Sequence, residues 1–158
     1  MKGMIVYDSI HGNTEQVAQA IAGALGTPEE IETRRVAEVN PERLTELDVL
    51  IVGAPTHAFR PSPAAREFLQ RIPAGALEGV TVAAFDTRMS VEDAGSAVFG
   101  FFVRFFGYAA KPIADRLKRK GGELALPPEG FFVEGAEGPL KEGELERAAS
   151  WAGRILVS

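Results

Sequence analysis

No cysteine occurs anywhere in this 158-residue sequence. That excludes a disulfide framework, thiolate metal sites and every cysteine-nucleophile mechanism, including phosphatases that place a phosphate loop after a first strand. Long apolar runs are also missing, so nothing is long enough to span a bilayer. The first strand is expected within a few residues of Met1, which leaves no room for a signal peptide, and a soluble cytoplasmic protein is expected. No strand is followed by Gly-x-x-x-x-Gly-Lys or Gly-x-Gly-x-x-Gly, so nucleotide hydrolysis and ordinary dinucleotide binding lose support. An excess of positive charge is lacking too. Seventeen Lys and Arg stand against 22 Asp and Glu, a net charge of −5, which argues against a nucleic-acid partner. The one basic cluster, Arg116, Lys118, Arg119 and Lys120, falls at the end of an expected helix, where cations complement the dipole.

What is present fits one domain over residues 1–158, with 46% hydrophobic residues and enough chain to bury a substantial core. Met4 to Tyr7 is an apolar run of strand type. Val17, Ala18, Ile21, Ala22 and Leu25 recur on one helical face before Gly26 stops the helix. Ile31 to Val36 reads as an edge strand, and Asn40-Pro41 opens a helical turn. Leu47 to Gly53 is a nearly continuous aliphatic run, as a central strand covered on both faces requires. Ala54 to Pro63 reads as a loop, followed by a helix carrying Ala65, Phe68, Leu69 and Ile72. Val80 to Phe85 is a second buried strand.

The stretch Ala97 to Tyr108 holds five phenylalanines and is apolar on nearly all sides. It reads either as a core helix or as a lid or subunit contact through Phe99 to Phe106. Ala109 to Lys120 reads as a helix with Ile113 and Leu117 facing inward. Phe131 to Val133 is a short strand, and Glu144 to Leu156 is a last helix burying Leu145, Ala148, Ala149, Ala152, Ile155 and Leu156. Strands alternating with helices in this way imply an α/β architecture: a three-layer, doubly wound parallel sheet, expected to have about five strands. Ligands of such sheets lie beyond the carboxyl ends of the strands. The loops Ser9 to Thr14, Ala54 to Pro61 and Asp86 to Ser90 should therefore meet.

The first of these loops carries the most chemistry. Ser9-Ile10-His11-Gly12-Asn13-Thr14 joins a strand to a helix, so backbone N–H groups and the positive end of a helix dipole converge on one point, which is how a phosphate is held without a dedicated cation. Ser9 and Thr14 can add hydroxyl donors. The competing reading gives Ser9, Asn13 and Thr14 only turn and cap duties.

With the three loops assembled, the sequence resembles the flavodoxin-like family, whose first loop reads Thr/Ser-x-Thr-Gly-x-Thr and clasps the phosphate of FMN. The resemblance continues through Gly53-Ala54-Pro55-Thr56-His57 into the final helix. It implies strand order 2-1-3-4-5 and an isoalloxazine ring between the loops beginning near Pro55 and near Asp86. Ser9, Gly12 and Thr14 match the phosphate loop. His11 replaces a hydroxyl residue, and either adds a positive charge that hydroxyl-only loops lack or hydrogen-bonds its own loop. For the ring, the resemblance implies Pro55, Thr56, His57, Ala58, Phe59, Asp86, Thr87 and Arg88. Phe59 is the best aromatic cover, Met89 another neighbour in sequence, and Arg88 is suited to negative charge on a reduced flavin. Asp86 could instead simply cap the segment after it. Trp151 lies far down the last helix and is expected to pack there.

The implied function is electron carriage between redox partners, with a redox protein or a small quinone-like acceptor as the other party. The alternatives are an FMN-dependent NAD(P)H:quinone-type reductase and a non-redox binding or regulatory module. No catalytic dyad or nucleophile is visible, as expected where the cofactor does the chemistry. A phospho-accepting receiver domain would need an aspartate after its third strand and a lysine after its fifth. Gly53 and Glu134 stand there instead.

Overall fold

A computed structural model describes residues 1–44, 46–57, 60–90 and 108–157, except for the side chain of His57. The Phe99 to Phe106 stretch, Ala58 and Phe59 lie outside the described residues.

Strand β1 (Gly3–Tyr7) leads into α1 (Asn13–Leu25), then edge strand β2 (Ile31–Arg35) and two short 3-10 turns, Val36–Glu38 and Pro41–Arg43. Strand β3 (Val49–His57), the short β4 (Arg60–Pro61) and α2 (Pro63–Arg71) come next. Then come β5 (Thr81–Met89), α3 (Ala110–Arg119), β6 (Glu123–Leu124), β7 (Glu129–Val133) and α4 (Glu144–Ile155).

The sheet runs β2-β1-β3-β5, and both β6 and β7 lie parallel against β5. The expected order 2-1-3-4-5 is met, but the fifth position is shared by two short strands. β6 pairs with Thr81 and Val82, whereas β7 pairs with Phe85 to Met89. The two pieces are separated by Ala125 to Pro128, where Pro127 and Pro128 have no N–H to give a ladder.

Alternation along the central strands builds the layers. Val6, Leu50, Val52, Val82 and Ala84 point to one face, where Phe68 and Leu69 of α2 and Ile113 and Leu117 of α3 cover them. Ile5, Ile51, Ala83, Phe85 and Phe131 point to the other, against Val17 and Ile21 of α1 and Ala148, Trp151 and Ile155 of α4. Phe85, Phe131 and Trp151 meet edge to face with ring centroids 6.0–6.4 Å apart, the arrangement that ring quadrupoles favour. The Phe85 ring passes so close to β3 that a β-carbon on Gly53 would overlap it. Glycine is required there by close approach.

Two expectations need correction. Residues 54–57 and 86–89 are strand rather than loop, because Ala54 and Pro55 pair with Asp86 and Thr87 of β5, β4 folds back on Thr56 and His57, and β7 runs beside the end of β5. In the last helix Leu145 and Leu156 are 37% and 48% exposed, so the buried stripe is narrower than its apolar content suggests, and Leu156 lies just past the helix end.

Candidate functional site

β1 stops at Tyr7 for a local reason. The N–H of Asp8 still donates to the Gly53 carbonyl at 3.1 Å, but the next donor in that parallel ladder would be residue 55, and Pro55 has none. The chain peels off the sheet into residues 9–12 and turns at Gly12, whose φ of +89° lies in the left-handed region, which only glycine enters freely. Space is open where a Gly12 β-carbon would stand.

Ser9 Oγ accepts the N–H of Gly12 at 3.1 Å and that of Glu15 at 3.4 Å. It therefore closes the turn as an acceptor and does not point its lone pairs outward. Among the described residues no acceptor meets the N–H groups of Ile10, His11, Asn13 and Thr14. These four donors sit at the amino end of the 13-residue α1, where the dipole is positive. Ile10 is 58% exposed and His11 is exposed beside it. The arrangement can bind an oxyanion, and open donors around a glycine without a β-carbon fit the phosphate of a mononucleotide.

Three neighbours hold the start of α1 in place. Ser62 Oγ donates to Asp8 Oδ2 at 2.5 Å, tying the loop to the entry of α2. Thr14 Oγ1 and Thr87 Oγ1 share a buried hydrogen bond of 2.8 Å, so the Thr14 hydroxyl is turned to the end of β5. Asn13 Nδ2 donates to the Glu137 carbonyl at 3.2 Å, and Gly138 lies against the Asn13 amide with no room for a side chain. The carboxyl ends of β1 and β5 and the loop after β7 thus meet at one helix terminus.

The β3 and β5 ends are more self-contained. Pro55 pairs with Thr87 across the sheet, both are at least partly buried, and His57 closes β3. Thr56 Oγ1 accepts the N–H of Ala109 at 3.2 Å, supporting the entry to α3. Asp86 is fully buried. Arg88 Nε and Nη2 grip its two oxygens at 2.7 Å each, and the Ala110 N–H donates to it at 2.9 Å. Burial raises the Asp86 carboxyl above its ordinary value, while the Arg88 fork and the Ala110 N–H pull against it. The Arg88 guanidinium lies 3.8 Å from the centroid of the Tyr108 ring. Asp86 is a cap, but for the helix that begins 24 residues later, and Arg88 is its counter-ion.

Sequence reasoning missed Ser62, Tyr7 and Arg35. Ser62 stands immediately before Pro63, the usual position for a helix-capping residue, yet its hydroxyl serves Asp8 instead. Tyr7 and Arg35 meet through Glu15. Their one sequence signal is that each ends a strand next to the loop.

A doubly wound parallel sheet whose carboxyl ends converge on an open amide turn defines a mononucleotide-binding α/β protein. This chain belongs to the flavodoxin family, whose sequence profile matches residues 5–151. A flavodoxin from Picosynechococcus sp. is 51% identical over 45 residues, a stretch spanning 28% of this chain and 26% of that relative. Among solved structures, oxidised flavodoxin 1 from Bacillus cereus superposes with a TM-score of 0.77 at 19% identity, covering 99% of this chain and 98% of that one. Oxidised flavodoxin 2 from the same organism gives 0.75 at 23% identity, with 99% of both chains covered.

Proposed function

We propose that this protein is an FMN-binding electron carrier, with the FMN phosphate seated in the turn Ser9 to Thr14. The observation that carries this reading is the set of four N–H groups, on Ile10, His11, Asn13 and Thr14, left without an acceptor among the described residues at the amino end of α1. Main-chain donors supply most of the cradle. Gly12 allows close approach, and exposed His11 stands beside it. The isoalloxazine ring belongs beside Pro55, Thr56 and His57 on one side and Thr87 and Arg88 on the other, and the residues after His57, Ala58 and Phe59, are the nearest source of an aromatic face in the sequence.

When bound, FMN supplies the redox chemistry. The chain's own part is to hold the phosphate, fix the ring and set the charge around it. Asp86 does this at one remove, by fixing Arg88, whose side chain is 18% exposed. The other party is a redox protein or a small quinone-like acceptor. A net charge of −5 favours a basic protein surface, and we place the carrier in the cytoplasm. Purified protein should be yellow, and its flavin-free form should quench the fluorescence of added FMN. A colourless preparation that leaves FMN fluorescence unchanged would contradict the assignment.

A further inference from the structure

Arg35, the last residue of edge strand β2, reaches across β1 to the phosphate turn. Its Nη1 donates to the Ser9 carbonyl at 3.3 Å and its Nη2 to Glu15 Oε2 at 2.9 Å. Tyr7 Oη donates to the same Glu15 oxygen at 3.1 Å, and the Arg35 guanidinium lies 5.3 Å from the centroid of the Tyr7 ring. Glu38 Oε1 accepts the Arg35 N–H at 2.9 Å, which anchors the residue from behind. One guanidinium thus touches both ends of the turn.

Glu15 is the reason this matters. It lies in the first turn of α1, where a carboxylate stabilises the helix through the dipole. The same negative charge opposes any anion seated at that helix end, and over less than a Debye length, about 8–10 Å near physiological ionic strength, the effect is only partly screened. Arg35 and the Tyr7 hydroxyl neutralise that carboxylate and turn it toward β2. Its side chain retains 30% exposure, so it is not silenced by burial. Burial first, and then the bond to Glu15, raise the Tyr7 phenol, which keeps it a donor.

We propose that Arg35 is a positioning and specificity residue for the phosphate: it holds the Ser9 carbonyl in the turn and cancels the Glu15 charge, so that the site accepts a dianionic tail. This rests on the functional reading above. A phosphate-bearing ligand and its phosphate-free counterpart should therefore respond differently to loss of the guanidinium. Arg35→Met keeps the stem and removes the charge. Added to full-length flavin-free protein, FMN should bind this variant roughly threefold to fivefold more weakly than wild type, the upper scale of a half-exposed ion pair, while riboflavin affinity changes by less than about twofold. The FMN loss should shrink in high salt. Adding Glu15→Gln to Arg35→Met should restore most of the FMN affinity, because the charge that Arg35 cancels is then gone.

Equal losses for FMN and riboflavin, or an unchanged FMN affinity, would overturn the inference and leave Arg35 a plain brace of β2. Failure of the wild-type protein to bind FMN at all would instead strike the functional reading, and is recognised before any variant is made.

Discussion

Two stretches of chain at the same rim of the sheet, a turn and a strand end, handle their polar groups in opposite ways. At residues 9–14 the N–H groups of Ile10, His11, Asn13 and Thr14 have no acceptor among the described residues. At the end of β5, Asp86, Thr87 and Arg88 are each engaged by a partner inside the protein. The difference teaches where binding capacity lies. A polar group already satisfied at good geometry has little to gain from a ligand, whereas a donor open to solvent exchanges water for a charge-assisted bond. The 9–14 turn is built to receive, and the β5 end is built to hold shape.

The largest test of that contrast is Asp86→Ala. It leaves Arg88 without its counter-charge in a mostly buried setting and removes the acceptor for the Ala110 N–H. A loss of about 3 kcal/mol or more is expected, measurable by urea unfolding, and a loss below ~1 kcal/mol would mean the fork is ornamental. Gly12→Val should do the reverse. Its backbone strain costs about 1–2 kcal/mol, but FMN affinity should fall by two orders of magnitude or so, as the side chain enters the open space beside the donors. Unaltered FMN affinity in this variant would remove the turn from the site.

Thr14→Val deletes the hydrogen bond to Thr87 and leaves that hydroxyl buried. We expect about 1 kcal/mol of destabilisation and a smaller loss of affinity than Gly12→Val, since the bond fixes the helix start and its loss fills no space beside the open donors. Last comes a pH effect away from the rim. Burial raises the Glu144 carboxyl, but hydrogen bonds from Arg147 and the Phe132 N–H, with the charges of Arg147 and Lys141, outweigh it and hold it below its ordinary value. A carboxyl depressed in the folded state contributes stability fully present above the unfolded-state value, about 4.3, and lost as pH falls through the folded-state value. Glu144→Gln should flatten this part of the acid limb of the stability curve. An acid limb identical to wild type would show that the clamp between α4 and β7 carries no charge coupling.

Much of the fold was legible because its signals are local. The aliphatic runs of β1, β3 and β5 and the periodic faces of α1 and α3 depend on residues adjacent in sequence. The turn at residues 9–14 was legible as a strand-to-helix connection for the same reason, since Ser9, Gly12 and the helix start lie within one short segment. What could not be read depends on distant partners. Residues 54–57 and 86–89 became strand because 54–55 pair with 86–87, 56–57 with β4, and 86–89 with β7. Asp86 was readable as a cap, but its helix begins at Ala110, and nothing local marks that pairing. Thr14 offered a hydroxyl in sequence, and nothing local shows that Thr87 shares it across the sheet. Tyr7 and Arg35 gave no sign of meeting over Glu15, because the parallel register of β1 and β2 aligns their last residues.

The central claim is that main-chain donors of the first turn hold a phosphate, and it can be watched amide by amide. Proton–nitrogen spectra of the flavin-free protein should be recorded during titration with FMN and, separately, with riboflavin. Large downfield shifts of the Ile10, His11, Asn13 and Thr14 amide protons are expected with FMN, and little change there with riboflavin. If FMN binds and those four amides stay where they were, or move equally with riboflavin, the phosphate is not in that turn.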